Sequence, residues 1–267
     1  ATLLGPLFMA DVMFLGPGSP SYAVRQLRDS LAWQTVLARH RAGSSLVLAS
    51  AATVAAGAWV LPVYEIYKSG ENLHWIRGLD LWGAYGLSLV FVPHWDNGEG
   101  GRDLDTSRCF MGKDRFERLL VLLPPEHVVV GIDEHTALLV DAGSGMCTVR
   151  GRGGVTLRRA GHEERVEADG SFPMAFLGAM HLPEPGDGIA SRVLELIDAA
   201  EHALRVASAP PAEVLRLVAE REAARTRRDW AAADWLREEI GRQGWAIRDT
   251  GDGPELVPQD SLPGDGP

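Results

Sequence analysis

The sequence predicts an α/β protein: a mostly parallel sheet flanked by helices, an antiparallel extension of that sheet, and a helical hairpin module after it. Three observations predict it. Apolar strand patterns and helical patterns alternate from Asp11 to Ala58 over short connections, the arrangement of a parallel sheet. From Gly143 the pattern changes to short alternating strands separated by glycine turns. From Ile189 helical spacing dominates, broken by Pro210-Pro211.

Asp11 to Leu15 reads as a buried strand, ended by the turn Gly16-Pro17-Gly18-Ser19-Pro20. Pro17 has no N–H, so Gly18 and Ser19 are the backbone donors this turn brings to the carboxyl edge of the sheet. Tyr22 to His40 is expected as one helix, with Ala23, Leu27, Leu31, Val36 and Leu37 near helical spacing. Leu46 to Ala49 is a short strand that turns at Ser50 into a small-residue helix running from Ala51 towards Ala58. A serine at such a junction has two readings. It N-caps the helix, or it presents its hydroxyl above the sheet as a nucleophile with the next N–H groups facing a developing oxyanion.

Leu61 to Lys68 is a connecting segment in which Glu65 is a reserve carboxylate near the Ser50 junction, and the tryptophans of Asn72 to Tyr85 are expected to pack. Gly86 to Pro93 is the next strand, and His94 follows it directly, where open α/β sheets place catalytic groups and also many structural histidines. Cys109 to Leu123 is expected as an amphipathic helix carrying Arg115 and Arg118, stopped by Pro124-Pro125. Two apolar strands around the acidic turn Asp133-Glu134 fill His127 to Val140. The strands of the antiparallel extension are Cys147 to Arg150, Val155 to Arg159 and Glu163 to Ala168. The expected domains are 1–170 for the α/β unit, 171–188 for a proline-containing linker, 189–257 for a helical module closed by the strand Gly244 to Thr250, and 258–267 for a disordered glycine- and proline-rich tail.

Composition narrows the function. A chain of 267 residues, 46% hydrophobic and 23% charged, is ordinary for a folded globular protein. Its net charge of −10 argues against a general coat for nucleic acid, which needs a basic surface. Cys109 and Cys147 are too few for a disulfide framework and lack metal-ligand spacing, so reduced thiols and a cytoplasmic location are expected, with no metal or organic cofactor. No apolar run reaches membrane-spanning length, and no membrane partner is expected. Oligomeric state is not readable.

With these residues in view, Asp11 to about Val140 resembles the serine peptidase family of cyanophycinase and α-aspartyl dipeptidase, a flavodoxin-like fold related to class I glutamine amidotransferases. The matching features are the Gly16 to Ser19 turn, the strand–serine–helix junction at Ser50, His94, the helix with Gly112, Arg115 and Arg118-Leu119, and above all Gly131-Ile132-Asp133-Glu134-His135-Thr136-Ala137. The resemblance implies a serine hydrolase acting on a peptide or small amide. In it Ser50 is the nucleophile, His94 the general base and Glu134 the residue that orients His94. Gly18 and Ala51 are the expected oxyanion donors, and Glu65, Arg108 and Arg115 the candidate substrate-binding residues. The family surrounds its serine with glycines, and here Leu48 and Ala52 stand at those positions, so a non-catalytic binding member of the same fold is the alternative. The family is also longer at its N-terminus, and a preceding segment is expected to be missing from this chain.

Pro211 to about Leu256 resembles a second family, the C-terminal region of cysteinyl-tRNA synthetase, in the run Glu213 to Arg225, in Asp229 to Arg237 and in the strand ending Asp249-Thr250. That resemblance implies a tRNA-related tail. Aminoacylation is not expected, because the synthetase's nucleotide-binding signatures do not occur in the sequence. Arg221, Arg225, Arg227 and Arg228 either meet RNA phosphates or form a solvated face balanced by Glu220 and Glu222.

Overall fold

The computed structural model describes residues 2–207, 209–250 and 253–259, and the chain divides into two compact units, Ala1–Asp198 and Ala199–Pro267. The first unit is α/β, with parallel and antiparallel strand pairs. β1 (Val12–Leu15) leads into α1 (Pro20–Leu27) and α2 (Leu31–Arg41), then β2 (Ser45–Leu48) pairs parallel with β1. The single helix expected over 22–40 is two helices. Asp29 turns left-handed (φ 57°), and Ser30 caps the second helix by accepting from the Trp33 N–H at 3.1 Å.

α3 (Ala51–Ala55), β3 (Trp59–Val60), α4 (Val63–Tyr67) and β4 (Ile76–Arg77) connect to β5 (Leu89–Pro93). α5 (Lys113–Val121) crosses over to β6 (Val128–Ile132), which pairs parallel with β5 from Leu89↔Val128 to Pro93↔Ile132. These two strands are the centre of the unit. Leu89, Phe91, Val128, Val130 and Ile132 face one hydrophobic cluster, and Val90, Val92 and Val129 face the other. Alternate side chains of a strand point to opposite faces, so a continuous apolar run is buried on both. β1 differs from the expected buried strand: Met13 is buried, but Val12 and Phe14 are 63% and 65% exposed, so only one face of this strand is covered.

The antiparallel strands that follow, β7 (Thr136–Asp141), β8 (Met146–Gly151), β9 (Gly154–Arg159) and β10 (His162–Glu167), fall into two sheets. β9 and β10 extend the β5–β6 sheet through the pairs β6–β9 and β9–β10. β7 and β8 pair in a separate sheet, so the expected strand Cys147 to Arg150 is not part of the extension. The segment expected as a linker from 171 is folded at its start. β11 (Ser171–Pro173) pairs with β8, and Phe172, Met174 and Leu177 are buried in the core. Those apolar side chains make the segment part of the first unit, despite its prolines.

α6 (Ser191–Ala207) crosses the boundary between the units. The second unit contains α7 (Ala212–Thr226) and α8 (Trp230–Arg242), with Asp229 capping α8, and an antiparallel hairpin of β12 (Trp245–Thr250) and β13 (Gly253–Pro258). Val214, Leu217, Ala224, Ala233, Leu236, Ile240 and Ile247 form its core. Pro258 closes β13, and the remainder of the expected tail, 260–267, lies outside the described residues. Among the described residues no helix is long and apolar enough to cross a membrane.

Candidate active site

Three strand ends build the site. β2 ends at Leu48, and Ser50, two residues on, adopts φ 50°, ψ −108°, a backbone conformation that costs a non-glycine residue energy and persists only where its surroundings hold it. They do hold it: the Ala49 carbonyl accepts the Ala52 N–H at 3.1 Å, and Thr53 Oγ1 donates to the Leu48 carbonyl at 2.9 Å. Ser50 occupies the N-cap position of α3 but makes no side-chain capping bond. Its Oγ lies instead 2.9 Å from His94 Nε2. Neither Leu48 nor Ala52 has a positive φ, so the turn's strain falls on Ser50 itself and the lost glycines are sterically tolerable.

His94 follows β5 with φ 54°, its side chain 31% exposed. Its neighbour Trp95 packs over Gly131 of β6, where an added Cβ would sit 2.4 Å from the indole, and the Trp95 N–H donates to the Ile132 carbonyl at 3.0 Å. The close approach that only glycine permits thus sets where the chain leaves β5. Glu134 follows β6. Its Oε1 lies 3.1 Å from His94 Nδ1 and also accepts from Asn97 Nδ2 at 2.7 Å, while the Glu134 N–H donates to Asp96 Oδ1 at 2.7 Å. The Asn97 hydrogen bond, seconded by that of His94, holds the Glu134 carboxyl below its usual range, so it is anionic at neutral pH. A carboxylate can only accept, which assigns the proton to His94 Nδ1 and leaves the Nε2 lone pair towards Ser50 Oγ. The preceding residue, Asp133, is structural: it is buried, and its Oδ2 accepts from the Gly154 N–H at 2.8 Å and from Arg165 at 2.6 Å.

Ser50 and His94 open into a cleft of about 360 Å³ whose walls include Gly18, Ala51, Val54, Tyr64, Tyr67 and Phe110. Among the described residues the N–H groups of Gly18 and Ala51 have no hydrogen-bond acceptor. The three expected substrate-binding residues are not among the cleft's walls. Arg108 Nη1 donates to the Trp95 carbonyl at 2.7 Å and its guanidinium lies 3.8 Å from the Trp95 ring centre. Arg115 donates to the carbonyls of Met111 and Phe110. Glu65 accepts a short hydrogen bond from the Ser21 hydroxyl. The helix expected from Cys109 begins only at Lys113, because Arg108, Cys109 and Phe110 are all left-handed. Asp105, held down to about 2 by its bonds to Ser107 and the Lys113 N–H, caps that later start. Burial pushes the Cys109 thiol up to about 12, far from a reactive thiolate, although it lines the cleft. Among the described residues no group of three His, Cys, Asp or Glu side chains is placed to hold a metal ion.

Asn97 and the aromatic walls were not read from the sequence. A buried asparagine three positions after His94 was the available signal, and it carries no pattern of its own.

Comparison with known proteins divides the chain as its folding does. A crystal structure of a peptidase from an acI-B1 Actinobacterium superposes with a TM-score of 0.51 at 20% identity, over 64% of this chain and 63% of that one. The first unit therefore has a peptidase-like fold. The model of the cysteinyl-tRNA ligase anticodon binding domain matches residues 208–255. The cysteine–tRNA ligase of Rubrobacter xylanophilus is 58% identical over 53 residues, 20% of this chain and 11% of that enzyme. That of Methanosarcina acetivorans is 52% identical over 46 residues, 17% of this chain and 10% of the enzyme. The chain thus spans about a tenth of the length of these curated relatives.

In the second unit two of the four arginines read either as RNA contacts or as a solvated face are committed internally. Arg221 is buried and forms paired hydrogen bonds to Asp249 at 3.0 and 2.9 Å, and Arg225 reaches the same carboxylate at 2.6 Å. Arg227 and Arg228 are exposed beside the exposed Trp230.

Proposed function

We propose that the first unit is a serine hydrolase that cleaves an amide bond of a peptide or small amide by acyl transfer. The observation that carries this reading is the continuous chain Ser50 Oγ, His94 Nε2, His94 Nδ1, Glu134 Oε1, with steps of 2.9 and 3.1 Å across the ring, opening into a cleft. Each member supplies what the next lacks. A serine hydroxyl at its ordinary pKa is a poor nucleophile, and an adjacent neutral imidazole takes its proton as Oγ attacks the carbonyl carbon. The tetrahedral oxyanion turns towards the N–H groups of Gly18 and Ala51. Glu134 stabilises the imidazolium that forms, and His94 passes the proton to the leaving nitrogen as the C–N bond breaks. Water, deprotonated by His94, then hydrolyses the acyl-serine and releases the acid. Labelling of the intact chain with a fluorophosphonate tests this: covalent modification at Ser50 is expected, and no modification at Ser50 would refute it.

For residues 208–255 the match to an anticodon binding domain favours a second role, contact with tRNA through the exposed Arg227 and Arg228. A gel shift with tRNA that weakens steeply with salt is expected, and no shift at low salt removes the role. If Ser50 proves inert while RNA binds, the chain is the non-catalytic binding member of its fold.

A further inference from the structure

The carboxylate that meets His94 stands next to a second carboxylate with a different task. The Asp133 side chain is 2% exposed, and its Oδ2 accepts from the Gly154 N–H at 2.8 Å and from Arg165 Nη2 at 2.6 Å. Among the described residues its Oδ1 has no hydrogen-bond partner, and Arg165 is the one cation in contact with it. Arg165 stands on β10 opposite Thr156 of β9, and it also donates to Thr156 Oγ1 at 3.3 Å and to Glu167 Oε1 at 2.7 Å. A cation from the outer strand thus reaches across β9 to the residue before Glu134.

The turn that carries Glu134 is held along the same seam. The Asp133 N–H donates to the Gly154 carbonyl at 3.1 Å, and the Arg152 N–H to the His135 carbonyl at 3.1 Å. The Gly153 N–H donates to Thr136 Oγ1 at 2.9 Å, and that hydroxyl donates to the Glu134 carbonyl at 3.1 Å. An added Cβ at Gly153 would sit 2.6 Å from Asp133 Cβ, so glycine lets residues 133–136 close on 152–154. A buried carboxylate stripped of its cation keeps one N–H bond, and it relieves that cost by taking a proton or by turning towards water with its backbone. Turning carries Glu134 with it. A shift of about 1 Å loses the 3.1 Å contact that orients the His94 ring. Resting on the hydrolase reading of Ser50, we propose that Arg165 is a positioning residue for Glu134, acting through the Asp133 carboxylate. Arg165 does not line the cleft, so its loss slows the chemistry and leaves binding in place.

Fluorophosphonate labelling of the intact chain, followed as rate against probe concentration, separates Ser50 reactivity from probe binding. Arg165→Met is expected to lower the limiting rate about tenfold, with the half-saturating concentration within about twofold. The double variant Asp133→Asn/Arg165→Met strands no buried charge and is expected to recover to within about threefold of the parent. Glu167→Gln spares the Asp133 bond and is expected to match the parent. A parent-like Arg165→Met, a double variant as slow as Arg165→Met, or an equal loss in Glu167→Gln overturns the proposal. Where Arg165→Met does not fold, Asp133→Asn and the double variant carry the test: their rates are expected to agree within about threefold, and a larger gap overturns it. The downfield His94 Nδ1–H resonance reads the same positioning without any reaction. It is expected in the parent and lost from folded Arg165→Met, and its persistence there sinks the role of Arg165. A parent that shows the resonance, loses it in Arg165→Met and is not labelled at Ser50 strikes the hydrolase reading and keeps the positioning.

Discussion

Two serine–histidine contacts sit at opposite ends of the same parallel strand pair. At the carboxyl ends of β5 and β6, His94 and Glu134 meet Ser50 around an open cleft. At the amino ends, Ser88 just before β5 and His127 just before β6 form a short hydrogen bond through Nδ1. Here the indole of Trp59 donates to His127 Nε2 at 2.6 Å. That bond uses the lone pair a general base needs and leaves the Nδ1 proton to be donated to Ser88 Oγ. His127 is buried, and burial lowers its pKa, so the ring stays neutral. The same two residue types thus make a candidate proton-transfer pair at one end and a satisfied core bridge at the other. What differs is the partner of the second nitrogen: a carboxylate that orients one ring, an indole that occupies the other.

Exchanging the serines is the harshest way to break this comparison. Ser50→Ala is expected to remove amide hydrolysis by a factor of about 10³ or more and to abolish fluorophosphonate labelling, while Ser88→Ala leaves labelling within about twofold. Equal effects of the two substitutions would erase the distinction. Next in size is the orienting carboxylate. Glu134→Gln is expected to lower kcat about 10²- to 10⁴-fold by releasing the His94 tautomer, measured with the turnover assay that Ser50 supports.

Asn97→Ala is milder. Without the Asn97 donor the Glu134 pKa rises, and Glu134 must be ionised to act, so the acid limb of the kcat/KM profile moves to higher pH. A limb that stays in place would reduce Asn97 to packing. At the other end of the strands, Trp59→Phe leaves His127 Nε2 unpaired and is expected to cost about 1–3 kcal/mol in urea unfolding, with labelling of Ser50 unchanged. His127 also has a pH signature. Its folded pKa lies below the unfolded value of about 6.5, so its contribution to stability is intact above that pH and falls as pH drops below it. The smallest effect belongs to Asp105→Ala, which removes the acceptor of the Lys113 N–H at the start of α5 and is expected to cost about 1 kcal/mol in urea unfolding. The Asp105 contribution is complete above the ordinary carboxylate pKa of about 4 and is lost as pH falls towards about 2.

The readable part of the site was the part written in local pattern. Ser50, His94 and Glu134 each follow an apolar strand run, and a residue just past the end of such a strand lies at the sheet's carboxyl edge whatever the surrounding fold does in detail. The candidate specificity residues were not readable. A guanidinium at Arg108 or Arg115 looks the same in sequence whether it faces substrate or a carbonyl of its own loop, and the carbonyls of Trp95, Met111 and Phe110 claim both.

The sequence by itself determined where strands and helices alternate and which polar residues leave the strand ends. Those follow from hydrophobic periodicity and chain punctuation, which act over a few residues. Only the tertiary structure decided that Ser50 Oγ turns to His94 instead of capping α3, that left-handed residues at Asp29 and at 108–110 interrupt two expected helices, and that the segment from 171 packs as core. Each of these depends on contacts between residues far apart in the chain, whose pairing a local pattern does not encode.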